Sequence, residues 1–542
     1  MRRWRAFVWI AGAVALLALA AGCRAVGDGG DADLVIAASS AHASLAPEVE
    51  RFARQHGYRI EIVYLGSVDI MLALQEGDGT YDAVWPAHRI WLSLGDAEAR
   101  RVRHVRSIAR SPLAYGIRRP RAEALGLVGR EVPLGELLGA AAGGDLRLAT
   151  ADAARSHVGA LAYLAAMYEF AGAPTVLAGE HLGDAALVDR LAGLYDAAER
   201  APGGAGWLLE DYVAAPEEAE GLVNAEALLI QANQELVRRG EEPLHIVYPV
   251  GGQGILDSPL GYVDRSNARK EGIYLALQEH LLGEDAQAAF RAAGWRTGPV
   301  GLDPGGEDPA VWNPLWGVDT ERTIRPLRWP AQGVLREALN QYLAAARPPA
   351  FTVYVVDRTQ SMAGEGDRAL QEAMRALFDQ QEAQSRWAPI GPRDVTAVLP
   401  FGARAEEAWI VEGNDQAALA GLLGHIAERE PAGHADVYLP TIEARRLVEA
   451  QGDGRLAGIV LLTDGRSRTG TNLRLVRNAW QAAERPLPVY AVLLGEAEES
   501  YVRGLVEVTG GDVFAGVEGA YPAARRARWG PGWSLVLDAP AP

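Results

Sequence analysis

The apolar and polar positions of this chain alternate between two periods from residue 33 onward. "DLVIAAS" (33–39) is a short apolar run with β-branched residues, and "LAPEVERFARQHG" (45–57) repeats its apolar positions at helical spacing and stops at a glycine. "RIEIVYLG" (59–66) returns to period two, "VDIMLALQEG" (68–77) is helical again, and "YDAVWPA" (81–87) is another apolar strand. Strands separated by helices of this length predict a parallel α/β sheet. Ligands of such sheets sit at the strand carboxyl ends, where helix N-termini offer free N–H groups. Hydroxyl-bearing turns occupy those ends here: Ser39, Ser40 and Ser44 after the first strand, Gly66 and Ser67 after the second. Each serine equally suits the capping of the helix that follows.

The texture changes over residues 299–349. Pro299, Pro304, Pro309, Pro314, Pro326, Pro330, Pro348 and Pro349 punctuate it, with Trp312, Trp316 and Trp329 between them. Large aromatics need burial, so an ordered connector is expected, with one helix over "GVLREALNQYLAAA" (333–346). The strand–helix alternation then resumes. "FTVYVVD" (351–357), "DVTAVLPFG" (394–402), "GIVLLTDG" (458–465), "VYAVLLG" (489–495) and "GDVFAG" (511–516) read as strands, and "DRALQEAMRALFDQQ" (367–381) and "LPTIEARRLVEAQ" (439–451) as helices. A second doubly wound sheet is expected over 350–542. Its first strand runs into Asp357, with hydroxyls following at two-residue steps, Thr359 and Ser361. Hard oxygen atoms on a strand-to-helix turn suit a small divalent cation.

Length and charge narrow the function. A chain of 542 residues exceeds one hydrophobic core, so two or three domains are expected. A formal charge of −18 argues against nucleic acid, whose phosphates need a basic face. Lys270 is the only lysine, which argues against a P-loop lysine or a Schiff base. The sequence carries no HExxH, no Gly-x-Ser-x-Gly elbow and no Gly-x-Gly-x-x-Gly after a strand, so a binding protein is expected rather than an enzyme.

The amino terminus reads as an export signal: the basic "MRRWR", then an apolar run from Ala6 to Ala21. It ends in "LALAAGC" (17–23), which resembles the lipobox of bacterial lipoproteins, although Leu19 lies four residues before the cysteine rather than three. The resemblance implies lipidation of Cys23, the only cysteine, and attachment to the bacterial cell membrane outside the cytoplasm. Residues 1–23 would be the signal peptide and 24–32 a flexible tether.

Residues 33–300 resemble the bacterial extracellular solute-binding proteins, the molybdate-type group in particular. The likeness rests on an ordered series: the opening strands and helices, "RSPLAYGIRRP" (110–120), "LATADAARSHVGALAYLAAMYEF" (148–170), "NAEALLIQANQEL" (224–236), "HIVYPVGGQGILDSPLGYVD" (245–264) and "EDAQAAFRAAGWRTGP" (284–299). It implies a two-lobed periplasmic-binding-protein-like domain of type II with a small molecule or oxyanion in the cleft. The candidate ligand residues are Ser39, Ser40, Ser67, Ser156, Tyr248 and Asp257; Trp85 and Trp91 are expected to pack. Residues 301–349 form the connector.

"DRTQSM" (357–362) with "VLLTDGR" (460–466) resembles the von Willebrand factor A domain, a doubly wound Rossmann-like fold over 350–542. The resemblance implies a cation, Mg²⁺ first and Mn²⁺ or Ca²⁺ next, held at the strand tips by Asp357, Thr359, Ser361 and Asp464, and a protein partner on that surface. The pattern departs at "GHADVY" (433–438), where Ala435 stands in place of a threonine and His434 is a poor donor for Mg²⁺. Asp436 either replaces that ligand or caps the next helix, and in the second case the site is a structural relic. The combination implies a membrane-anchored extracytoplasmic binding protein. The alternatives are a receptor of an ABC-type uptake transporter with an accessory A domain, or a surface scaffold or adhesion protein without a ligand.

Overall fold

The computed structural model describes residues 32–528 apart from 78, 197–202, 298–307, 403–404, 435, 452–454, 467–472 and 483–486. The expected signal peptide, Cys23 and Ala435 lie outside the described residues.

The first lobe begins with β1 (Leu34–Ser39), β2 (Ile60–Leu65), β3 (Ala83–Trp85) and β4 (Val102–Ser107). The chain then crosses to a second lobe built on β5 (Ser111–Arg118), β6 (Leu148–Ala149), β7 (Gly221–Ala225), β8 (Leu244–Val247) and β9 (Ile255–Leu256). It returns through β10 (Pro259–Val263), which inserts antiparallel between β3 and β4 to give the order β2-β1-β3-β10-β4. The second sheet runs β6-β7-β5-β8, with β9 pairing β5. Backbone pairing of Arg110 with Arg296 ties a third segment to the two crossings.

Local chemistry sets the ends of these elements. Pro47 opens the helix Ala46–His56, and Gly57 closes it at φ 70, the left-handed conformation that glycine adopts without penalty. Arg296 and Glu226 form a two-pronged ion pair, 2.6 Å on each prong, with both side chains almost wholly out of water. Each charge depends on the other there, because an unpaired one would be strongly destabilising.

The connector wraps the second lobe. Trp312, Trp316 and Val318 join the core that contains Leu244, Ile246 and Tyr248. The backbone N–H of Leu327 donates to the Gln253 carbonyl (2.8 Å), and the Tyr168 hydroxyl donates to the Arg328 carbonyl (2.5 Å). The helix Gln332–Gln341 passes into a wider turn, Tyr342–Ala346, where the Tyr342 ring meets Tyr163 edge-on at 5.2 Å and Tyr195 at 5.5 Å.

The third sheet comprises β11 (Ala350–Asp357), β12 (Val395–Phe401), β13 (Trp409–Glu412), β14 (Leu456–Thr463), β15 (Val489–Leu493) and β16 (Val513–Ala515), in the order β13-β12-β11-β14-β15-β16. All pairings are parallel except that of β13, an edge strand absent from the sequence reading. β11 and β14 are apolar on both faces because helices cover both. Among the described residues no helix is long and apolar enough to cross a membrane.

Candidate functional site

The tips of β1 and β2 face the second lobe directly. Ser39 caps the turn Ser40–Leu45, accepting from the Ala41 N–H at 3.4 Å. Ser40 Oγ accepts from the N–H of Gly206 in the other lobe (3.2 Å). Ser44 Oγ accepts from Trp295 Nε1 at 3.1 Å. Gly66 opens the helix Ser67–Glu76, and Ser67 Oγ accepts from the Ala87 N–H (3.0 Å), fixing the exit of β3 against the helix start.

The next amide of that helix crosses the lobe boundary. Val68 N–H donates to the Arg155 carbonyl at 2.9 Å, and the Arg155 guanidinium holds Asp69 at 3.1 Å. Ser156 caps the helix His157–Phe170 by accepting from Gly159 N–H (3.5 Å).

The contact leaves no slack. A Cβ on Gly66 would lie 2.3 Å from the Arg155 carbonyl oxygen, and one on Gly206 would lie 2.1 Å from that of Ser40. The lobes are therefore shut on each other, with Ser39, Ser40, Ser67 and Ser156 buried at or beside the seam. A protein carbonyl stands where the helix N-terminus would receive an anion. Beside it, burial pushes the Asp152 carboxyl up to about 6.

Tyr248 and Asp257 do not join this group. The Tyr248 hydroxyl donates to Glu226 inside the second lobe, so it completes the Glu226–Arg296 pair. Asp257 lies at the crossing between the lobes, where it accepts from the Arg89 backbone N–H (2.9 Å) and Arg89 Nε (2.5 Å). Trp85 and Trp91 are fully buried, and Trp85 Nε1 donates to the Ser258 carbonyl.

Sequence reading missed an aromatic group across the same boundary. His88 of the first lobe and His157 of the second stack at 5.1 Å, and Trp329 of the connector lies on both, 5.0 Å from His88 and 5.7 Å from His157. Trp91 Nε1 donates to His157 Nδ1 at 3.1 Å. Burial holds both histidines below their ordinary range, so they are neutral rings at neutral pH. The available signal was position: His88 follows a strand tip in "WPAH", and His157 follows the capping Ser156.

At the tips of the third sheet, Asp357 Oδ1 accepts from the Thr359 N–H (2.9 Å) and Oγ1 (2.7 Å), and Oδ2 accepts from Thr463 Oγ1 (2.6 Å). Ser361 Oγ lies 3.0 Å from Thr359 Oγ1. Burial, with help from the charge of Asp464, pushes the Asp357 carboxyl up to about 6. Asp464 accepts from Arg466 N–H through Oδ1, whereas its buried Oδ2 has no hydrogen-bond partner among the described residues. Asp436 takes the capping role, accepting from the Tyr438 N–H at 2.9 Å. Among the described residues no three His, Cys, Asp or Glu side chains gather as a metal cluster, so a cation here would rely on hydroxyls and water. The donors fit one: all are hard oxygens, and Asp464 Oδ2 is a buried acceptor without a hydrogen-bond partner among the described residues. Thr463, which orients Asp357, was also missed; it directly precedes the "DG" of Asp464 and Gly465.

Comparison with known proteins bears mainly on the two lobes. The periplasmic binding protein P5PA is 13% identical with a TM-score of 0.41, covering 58% of this chain and 99% of its own. The periplasmic molybdate-binding protein of Azotobacter vinelandii is 15% identical with a TM-score of 0.35, covering 49% and 100%. A von Willebrand factor type A protein from Catenulispora acidiphila is 18% identical with a TM-score of 0.28, covering 35% of this chain and 44% of its own. No curated protein matches the chain. Residues 34–296, which take in both lobes, match the family model described as bacterial extracellular solute-binding protein.

Proposed function

We propose that the chain is an extracytoplasmic receptor for a small anionic solute, tethered to the membrane by a lipid on Cys23. The observation that carries the ligand class is the N–H of Val68 at a helix N-terminus, directed across the lobe boundary at the Arg155 carbonyl. An oxyanion or carboxylate suits that donor better than a neutral carbonyl does, because the helix end adds a partial positive charge. A ligand would part the lobes, displace the carbonyl and take the Ser40 and Ser67 hydroxyls as further donors.

The third sheet serves this reading as an A-type interaction domain. Asp357, Thr359, Ser361 and Asp464 would hold a divalent cation that attracts a carboxylate of a protein partner, with water completing the shell. Asp436 is left to its cap.

A thermal-shift survey of the full chain tests the receptor reading. The probes are inorganic phosphate, sulfate, molybdate, a phosphate monoester, a dicarboxylate and, as a neutral control, maltose. A saturable rise in melting temperature with one anionic class is expected, since binding to the native state alone adds about 2.7 kcal/mol at a hundred times the dissociation constant. No rise with any of them would remove the anion-receptor reading.

A further inference from the structure

We infer that the connector and the third-sheet domain form a strap that holds the two lobes shut, with Trp329 as its clasp and the Arg525–Glu76 pair as a second tie. The inference rests on reading residues 34–296 as lobes that part.

The strap is fixed broadly to the second lobe. Trp312, Trp316 and Val318 are built into that lobe's core, Leu327 is bonded to Gln253, and Gln341 Nε2 donates to the Leu182 carbonyl at 2.7 Å. Tyr342 sits against Tyr163 and Tyr195. From that anchorage the strap reaches the first lobe at two separated places. Trp329 lies against His88 and, edge-on at 6.3 Å, against Trp91, while its opposite neighbour is His157 of the second lobe. Farther along the chain, Arg525 Nη2 donates to Glu76 Oε1 at 2.5 Å, at the far end of the helix whose first turn meets Arg155.

A rotation that lifts the first lobe away must break both ties as well as the direct seam. One indole touching both lobes gains contact only while they are together, so it favours the closed form by the whole of its first-lobe contact. The ion pair adds to this, because its arginine is almost wholly buried and is held from behind by the Arg386 carbonyl (2.9 Å). A solute entering the cleft competes with the strap, and anything that detaches the third-sheet domain lowers the cost of opening. By linkage, a ligand that favours the open form would loosen that domain in turn.

Two amides read the seam without any ligand: Val68 N–H, bonded to Arg155, and Gly206 N–H, bonded to Ser40. Their hydrogen exchange in the full chain reports lobe opening. The variants are Trp329→Ala, Glu76→Arg, Arg525→Glu and the double swap Glu76→Arg/Arg525→Glu. Exchange at both amides should rise on the order of tenfold in Trp329→Ala, the scale of one lost aromatic contact. It should rise in each charge variant and return toward the wild-type rate in the double swap, while amides inside β1 and β5 stay protected. Unchanged exchange at Val68 and Gly206 in all four variants would overturn the strap, as would a double swap no better than its singles together with a silent Trp329→Ala. If Trp329→Ala loses the sheet protection, the charge series alone decides. A strap that fails here leaves the solute survey untouched, and a failed survey leaves this exchange result standing.

Discussion

Gly66→Ala isolates the closed seam from the folding of either lobe. The backbone at Gly66 (φ −71, ψ 152) is extended and open to any residue, so alanine adds no strain there. Its Cβ would lie 2.3 Å from the Arg155 oxygen and 2.6 Å from the Gly203 oxygen, both in the other lobe. Ordinary contact begins near 3.4 Å, so the second lobe has to withdraw by about 1 Å.

That movement breaks the Val68–Arg155 hydrogen bond and loosens the Arg155–Asp69 pair. The first is worth about 1 kcal/mol, and the second, charged and partly buried, about 2 kcal/mol. A loss of about 3 kcal/mol lowers the closed-to-open ratio roughly a hundredfold.

The assay is double electron–electron resonance between spin labels on exposed Arg54 of the first lobe and Glu241 of the second. A longer or broader distance distribution in Gly66→Ala is expected, with Gly139→Ala, where an added Cβ meets nothing within 4 Å, as the silent control. Identical distributions in wild type and Gly66→Ala would refute the reasoning, because the seam would then have slack that the distances deny.

Three further outcomes are expected. Asp152→Asn should stabilise the chain at pH 8 by up to about 3 kcal/mol, since a buried carboxyl pushed from 3.8 to about 6 disfavours its charged form at about 1.4 kcal/mol per pH unit. The folded state binds this proton more tightly, so wild-type stability from Asp152 falls as pH rises from 3.8 through about 6. The mutant's advantage should therefore vanish below pH 3.8 in denaturant titrations, and a constant advantage would contradict it. Arg296→Met strands Glu226 in the core of the second lobe and should cost about 3–5 kcal/mol in urea unfolding; a loss below about 1 kcal/mol would mean that water already reaches the pair. Millimolar Mg²⁺ or Mn²⁺ should raise the melting temperature of the full chain relative to EDTA, an effect that Asp464→Asn diminishes; a rise that persists unchanged in Asp464→Asn and in Asp357→Ala would place the cation elsewhere.

What could be read from the sequence follows from which interactions are local. β1, β2 and β3 and the helices between them stood out because periodicity, Pro47, Gly57 and Gly77 act within a few residues. β11 and β14 stood out because strands buried on both faces are continuous apolar runs. β13 is short, lies at the sheet edge and is half exposed, so it had no such run.

The site was only partly legible for the same reason. Ser39, Ser40, Ser67 and Ser156 could be located by their places at strand tips and helix starts. That Ser40 would face Gly206 and Val68 would face Arg155 depends on how two lobes meet, and no local pattern encodes it. Tyr248 was assigned by position to the cleft, yet Glu226 and Arg296 draw its hydroxyl into the second lobe because a buried ion pair needs every donor it can reach. Asp436 was read with two possible roles, and its Oδ1 accepts from the first N–H groups of the helix, those of Tyr438 and Leu439, as a cap does. Trp329 was visible as an aromatic that needed burial, but its two histidine neighbours are far from it in sequence.

The central claim is that a small anion takes the place of the Arg155 carbonyl at the start of the Ser67–Glu76 helix. Its most direct test is the amide resonance of Val68, followed by relaxation-optimised NMR in the full chain during titration with inorganic phosphate, molybdate and a phosphate monoester, with maltose as control. A saturable shift of the Val68 resonance with one of the anions, accompanied by Gly206 across the seam and absent with maltose, is the predicted result. A Val68 resonance that none of the anions moves, or that maltose moves equally well, would contradict it.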